Sequence, residues 1–226
     1  METFMLFFVS VVFFVYVCTM MDEKFLEILE KVGNVFMRYG IKSVTMDDMA
    51  RELKISKKTL YKYVSDKNDL VCKVMSAHCE MDKIQFNEAI HSVDNAIDEI
   101  FAITKYVGEQ VKQMHPSIHY DLEKYYPEAW EIFEDHQNNF IYDSVLQNIN
   151  KGLEQKLYRK NLNSSIIAKI YSKKIDMIFN NEIFPSNKFK FADVHIEMVR
   201  YHLRGIVNDK GLKYLSESDL NKDLNI

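Results

Sequence analysis

The 226-residue sequence predicts an all-α protein, and three observations carry that expectation. Glycine and proline, which punctuate turns, number only 6 and 3. Apolar side chains recur every three or four positions through most of the chain, the period of one buried helix face. The hydrophobic fraction is 47% against 27% charged, the balance of a folded soluble protein rather than a disordered one. The length suits one large domain or two small ones sharing a core.

Residues 1–20 stand apart as an apolar extension. From Phe4 to Cys18 only Ser10 interrupts the apolar run, and Glu2 is the only carboxylate or cation before Asp22. The run is shorter than the roughly 20 residues a membrane helix needs. It also lacks the cationic start of a signal peptide, and Tyr16-Val17-Cys18-Thr19 is no small-residue cleavage site. The reading adopted is a start assigned too early, with Met20 or Met21 as the true beginning. The alternatives are an export signal and a membrane anchor that leaves Lys24, Lys31 and Arg38 on the cytoplasmic side.

The first globular helix is expected over 23–39. Phe25, Ile28, Leu29, Val32, Val35 and Phe36 share one face, and Gly40 supplies the left-handed stop. Thr45 then caps a short second helix, its hydroxyl accepting from the Asp48 backbone N–H, with Val44 and Met49 at the staple positions. Met49, Ala50 and Leu53 face inward. Ser56 caps a third helix, with Ile55 and Leu60 as its staple, so only Lys54 and Ile55 separate two helices that must turn sharply. That is the geometry of a helix-turn-helix over residues 45–64, which presents its second helix to a DNA major groove. A further cap at Ser65 or Asp66 opens a helix through Leu70, Val71, Val74 and Met75.

The formal net charge of −4 is acidic, yet between residues 54 and 67 five lysines (Lys54, Lys57, Lys58, Lys62, Lys67) face one anion, Asp66. A local basic patch suits a module that touches phosphate over a limited face. The outward residues Lys57, Lys58, Thr59, Tyr61, Lys62 and Tyr63 offer cations and hydroxyls for phosphate oxygens, and Thr45 is a further DNA-contact candidate. Lys67 lies in the first turn of its helix, where a cation opposes the dipole, and is read as a phosphate contact that offsets this.

The stretch FMRYGIKSVTMDDMARELKISKKTLYKYVSDKNDLV resembles the N-terminal domain of the TetR/AcrR family of transcriptional regulators. Phe36, Gly40, Thr45, Ala50, Ile55, Ser56, Thr59, Leu60, Tyr61, Tyr63, Lys67 and Leu70 carry the match. The resemblance implies DNA-backbone contacts at Thr59, Tyr61, Tyr63 and Lys67, and base contacts from Lys57 and Lys58. It implies a ligand-responsive regulator, by default a cytoplasmic repressor, that binds double-stranded operator DNA as a homodimer. Lys54 and Lys58 stand where the family often has glycine, and Val64 where it has phenylalanine. A left-handed turn at Lys54 is expected to carry strain of roughly 1 kcal/mol.

Helices are predicted over 70–90, 93–114, 117–125, 127–152, 164–183 and 191–208, with Pro116, Pro127 and Pro185 at the boundaries. The expected division is a DNA-binding domain over 21–75, rigidly joined to a ligand-binding and dimerisation domain over 76–215, then a polar tail over 216–226. The stretches YDLEKYYPEAWEIFEDH, GLEQKLYRKNLNSSIIAKIY and YHLRGIVNDKGLKYL extend the resemblance more loosely. An apolar effector pocket is expected among Phe101, Tyr106, Met114, Tyr120, Tyr126, Trp130, Phe133 and Phe140, each equally at home in a plain core. Ile167, Ile170, Ile178, Val194, Met198 and Leu203 are the dimer-interface candidates on the last two long helices.

No cofactor, metal or catalytic site is expected. His115 and His119 are separated by Pro116 without the glutamate of a zinc helix. His195 and His202 have no completing carboxylate, so these four read as surface or interface histidines. Cys18, Cys72 and Cys79 form no CxxC pair, which suits a reducing compartment. The sequence contains no GxSxG, GxxxxGK[ST] or GxGxxG motif. The alternative functions are a membrane-tethered helical adaptor and, behind it, a helical enzyme.

Overall fold

The structure, a computed structural model, describes residues 23–112 and 114–218. The readings of residues 1–20 and the end of the polar tail lie outside the described residues. Among those described, the elements are helices and no strand is present. No helix among them is long and apolar enough to cross a membrane.

Helix α1 (Glu23–Tyr39) buries the predicted face: Phe25, Ile28, Leu29, Val32, Val35 and Phe36 are all buried. It ends at Gly40, whose φ of 79° is the left-handed stop. Thr45 and Asp48 form a capping box at the start of α2 (Met46–Glu52). After α2, Lys54 takes φ 55°, so the strain expected of a side chain in that region is present. Ser56 accepts from the Thr59 N–H at 3.0 Å and opens α3 (Lys57–Leu60). This helix is shorter than expected, because the chain tightens into i→i+3 bonds from Lys62 N to Thr59 O (3.2 Å) and Tyr63 N to Leu60 O (3.0 Å). Asp66 rather than Ser65 caps α4 (Lys67–His91), and Asp69 accepts in return from Ser65 N.

Helix α4 runs without a break through residue 75, where the two domains were expected to divide. The first core gathers α1 to α4 and also draws in Ile118, Leu122 and Ala129 from beyond that point. Helices α5 (Ala96–Lys112), α6 (Ile118–Tyr125) and α7 (Pro127–His136) follow, with Pro127 in the first turn of α7. The predicted continuous helix over 127–152 is interrupted by a π-turn (Gln137–Ile141) before α8 (Tyr142–Glu154). Helices α9 (Ser164–Phe179) and α10 (Phe191–Ile206) come next. The last described helix, α11 (Asp209–Glu217), was not expected; Asn208 caps it, its side chain accepting from Gly211 N at 3.0 Å.

A second core joins Ala96, Ile97, Ile100 and Phe101 of α5 to Val199, Leu203 and Ile206 of α10, with Leu157, Tyr158 and Leu215. Tyr158 enters across Gly152, where any side chain would stand about 2.2 Å from its ring. Its hydroxyl donates to Asn148 Oδ1 at 3.0 Å, which satisfies the one polar atom of a fully buried ring.

Candidate nucleic-acid interface

The tight α2–α3 turn leaves Lys57, Lys58, Tyr61 and Lys62 exposed, with Tyr61 42% accessible. Behind them Leu60 and Val64 are buried and fix the helix on its scaffold. Lys57 is held by Asp47 at 2.9 Å, and this hydrogen bond raises its pKa, so the side chain stays charged. Both partners are largely exposed, so the pair is a weak restraint that a phosphate can replace.

The other expected contacts are placed differently. Thr45 gives its hydroxyl proton to Asp48 Oδ2 at 2.6 Å, and Thr59 shares a 2.7 Å hydrogen bond with Ser56, so both hydroxyls serve helix caps. The Tyr63 ring lies flat on Phe25, with centroids 4.9 Å apart, and packs against the first core. Lys67 turns inward: its Nζ donates to the carbonyls of Ile41 (2.7 Å) and Lys42 (3.4 Å). Burial lowers its pKa, and Asp121 and Asp48 oppose that shift. The offset to the helix dipole expected from a DNA phosphate therefore comes from the protein's own carbonyls.

Those carbonyls belong to a turn that α6 grips. Asp121 is buried, and its Oδ2 accepts from Ile41 N, Lys42 N and Ser117 Oγ, each at 3.0 Å. The His115 backbone N–H donates to Met37 O at 2.7 Å, and Lys42 Nζ donates to the Tyr125 hydroxyl at 2.7 Å. A Cβ on Gly40 would stand 2.6 Å from Ser117 Oγ, so glycine is required there for close approach as well as for its φ. The turn that orients the helix-turn-helix is thus hydrogen-bonded to an element 80 residues away in the chain. Nothing in the local sequence marked Asp121.

The eight pocket candidates fall into different packing groups. Phe101 belongs to the second core, and Met114, Tyr126 and Trp130 pack against the first. Tyr120 is exposed and bonded to Lys124. Phe133 joins Trp130 around His119, while Phe140 stacks on His136 and meets Phe86 edge-on. Tyr106 donates to Asp82 at 2.8 Å, and His136 Nε2 lies 2.8 Å from the other oxygen of that carboxylate. Burial works against the Asp82 charge, yet the His136 and Tyr106 hydrogen bonds hold its pKa below the ordinary value.

Four buried polar atoms nearby have no partner: both amide atoms of Gln137, His136 Nδ1 and His119 Nε2. An unpartnered buried group costs about 1–3 kcal/mol, so this region carries unmet hydrogen-bonding demand.

Of the dimer candidates, Ile170 is 48% exposed, and Ile167 and Val194 are half-buried. Ile178, Met198 and Leu203 are buried inside the protomer and offer nothing to a second copy. The outward apolar residues of these helices are instead Ile166, Met177 and Tyr201. His195 and His202 are also buried rather than on the surface. Burial lowers each to a pKa of about 4, with Lys174 adding to the effect on His202.

A doubly capped helix-turn-helix with an exposed lysine and tyrosine face, backed by a helical body, defines a DNA-binding transcriptional regulator. Residues 28–74 match the family model of bacterial regulatory proteins of the tetR family. The chain is 26% identical over 172 residues to the HTH-type transcriptional regulator YvaF of Bacillus subtilis (strain 168), covering 74% of this chain and 88% of that protein. Its fold is similar to a transcriptional regulator from Saccharomonospora viridis solved in complex with choline. There the TM-score is 0.66 at 15% identity, with 83% of this chain and 100% of the other covered. A regulator from Cytophaga hutchinsonii ATCC 33406 gives a TM-score of 0.67 at 18% identity with the same coverage. Residues 28–74 thus carry the DNA-binding domain of a tetR-family bacterial regulatory protein.

Proposed function

We propose that the protein is a ligand-responsive repressor that acts in the cytoplasm, without cofactor or enzymatic activity, as a homodimer on operator DNA. The observation that carries the DNA reading is the exposed Lys57, Lys58, Tyr61 and Lys62 face on a helix fixed from behind by Leu60 and Val64. Lysines neutralise phosphate and release counterions, and the first turn of α3 is placed to meet base edges, for which lysine at guanine is a common pairing. Two such helices reach successive major grooves when the dimer holds them roughly 34–36 Å apart. The outward Ile166, Ile170, Met177 and Tyr201 on α9 and α10 supply an apolar face for the second copy.

Repression is relieved when an effector binds more tightly to the state whose helix spacing misfits the operator. The Asp121 clamp on the 40–42 turn gives the effector-binding body a direct hold on that spacing. The crystallised relative with bound choline supports a small-molecule effector in proteins of this shape.

Fluorescence anisotropy with duplex from the protein's own promoter region, against random duplex, tests the reading. Selective binding that weakens on addition of effector supports it, and equal affinity for the two duplexes defeats it.

A further inference from the structure

We propose that the amide of Gln137 is the polar anchor of the effector site, and that it selects a neutral ligand with N–H and C=O side by side on an apolar body. A lactam or a primary carboxamide is such a ligand. The proposal rests on the ligand-responsive reading above and adds the ligand's chemistry to it.

Gln137 has no accessible surface, and neither its Nε2 nor its Oε1 has a partner. A glutamine amide carries donor and acceptor in one plane. The group that satisfies both at once is another amide with its N–H and C=O on the same side, through two antiparallel hydrogen bonds. The residue opens the π-turn, a rare insertion that is frequent at functional sites. That turn touches α9 as well as its flanking helices, so a ligand there bears on one of the helices that carry the outward apolar face.

The aromatic residues that flank Gln137 along the chain match an apolar, uncharged body. Trp130 and Phe133 precede Gln137 on α7 at helical spacing and pack on each other at 5.4 Å. Phe140 follows within the π-turn, stacked on His136. Asp82, which is bonded to His136 at the position before Gln137, is also met by Tyr106 and makes no demand for a cationic ligand. His119, whose ring is packed against Trp130 and Phe133, has its own unpartnered Nε2 for a further polar atom of the ligand.

The test titrates the full-length protein with 4-phenyl-2-pyrrolidinone, its N-methyl derivative and the anion 4-phenylbutyrate, following the emission of Trp130, the sequence's single tryptophan. The lactam is expected to bind at least about tenfold tighter than the N-methyl derivative, which keeps the carbonyl and loses the N–H. Gln137→Leu is expected to erase that preference while raising the melting temperature, because an unpartnered amide is replaced by an apolar group of similar size.

Equal binding of the lactam and its N-methyl derivative, a preference that survives Gln137→Leu, or no lactam binding at all overturns the proposal. Phenylbutyrate that binds and weakens operator affinity while the lactam is silent overturns the ligand class and leaves ligand control standing. Lactam that binds through Gln137 without changing operator affinity upholds the amide site and defeats the regulatory reading.

Discussion

Replacing Asp121 by alanine tests the clamp between α6 and the helix-turn-helix. The substitution removes one oxygen that accepts from Ile41 N, Lys42 N and Ser117 Oγ at 3.0 Å each. The Ile41 hydrogen bond is buried, and an amide left unpartnered there costs about 1–3 kcal/mol. The Lys42 amide is only half-buried and recovers part of its loss from water, leaving about 0.5–1 kcal/mol. Lys67 also loses an anion that opposes its burial. The expected total is about 2–4 kcal/mol, which at roughly 2–4 °C per kcal/mol lowers the melting temperature by on the order of 5–15 °C. Asp121→Asn keeps an acceptor oxygen and is expected to lose about half as much. The assay is a thermal melt at fixed protein concentration, with hydrogen exchange read at Ile41 and Lys42. A melting temperature within about 1 °C of wild type, or unchanged exchange at those two amides, refutes the reasoning. Operator affinity is expected to fall without any change in its salt dependence, because Asp121 positions the reading head and touches no phosphate.

The salt dependence also separates the lysines. Lys67→Met is expected to leave the slope of log affinity against log salt unchanged, since its ammonium is engaged by Ile41 and Lys42 carbonyls. Lys58→Met is expected to reduce that slope by about 0.9, the loss of one phosphate contact. Gly40→Ala forces a side chain onto φ 79° and against Ser117, and is expected to cost about 1–3 kcal/mol in a urea melt. His195 and His202 fold with pKa values of about 4, below the ordinary value of 6.5. The unfolded chain therefore binds more protons between those values, and stability present above about pH 6.5 is lost as pH falls toward 4. Each contributes up to about 1 kcal/mol per pH unit, so urea midpoints at pH 7.5 and 5 are expected to diverge less in His195→Gln and His202→Gln.

Much of the DNA-binding head was legible because its determinants are local. Thr45 and Asp48, Ser56 and Thr59, and Gly40 act within four residues of themselves, and caps and left-handed turns are set by side-chain chemistry over that range. The same local reading put a cost at Lys54, and its φ of 55° carries it. Lys67 was misplaced because the groups that hold it lie 25 and 26 residues away, on a turn whose carbonyls are no different in sequence from any others.

The helical body was legible as helices and much less so as surfaces. Periodicity tells that Ile178, Met198 and Leu203 lie on apolar faces, and not whether a face meets its own protomer or another. Eight aromatic and apolar candidates were grouped by chemistry, and packing dispersed them between two cores, the surface and the half-buried groups around Asp82, His119 and His136. The π-turn has no periodic signature that survives one residue of insertion, and Gln137 was unremarkable until its burial was known. The sequence by itself determined an all-helical chain and a helix-turn-helix with a basic face, because capping, staple and charge patterns act over a few residues. Tertiary structure alone decided that Asp121 grips the turn at 40–42 and that a polar amide is shut into the body, because both depend on which distant helices come to lie together.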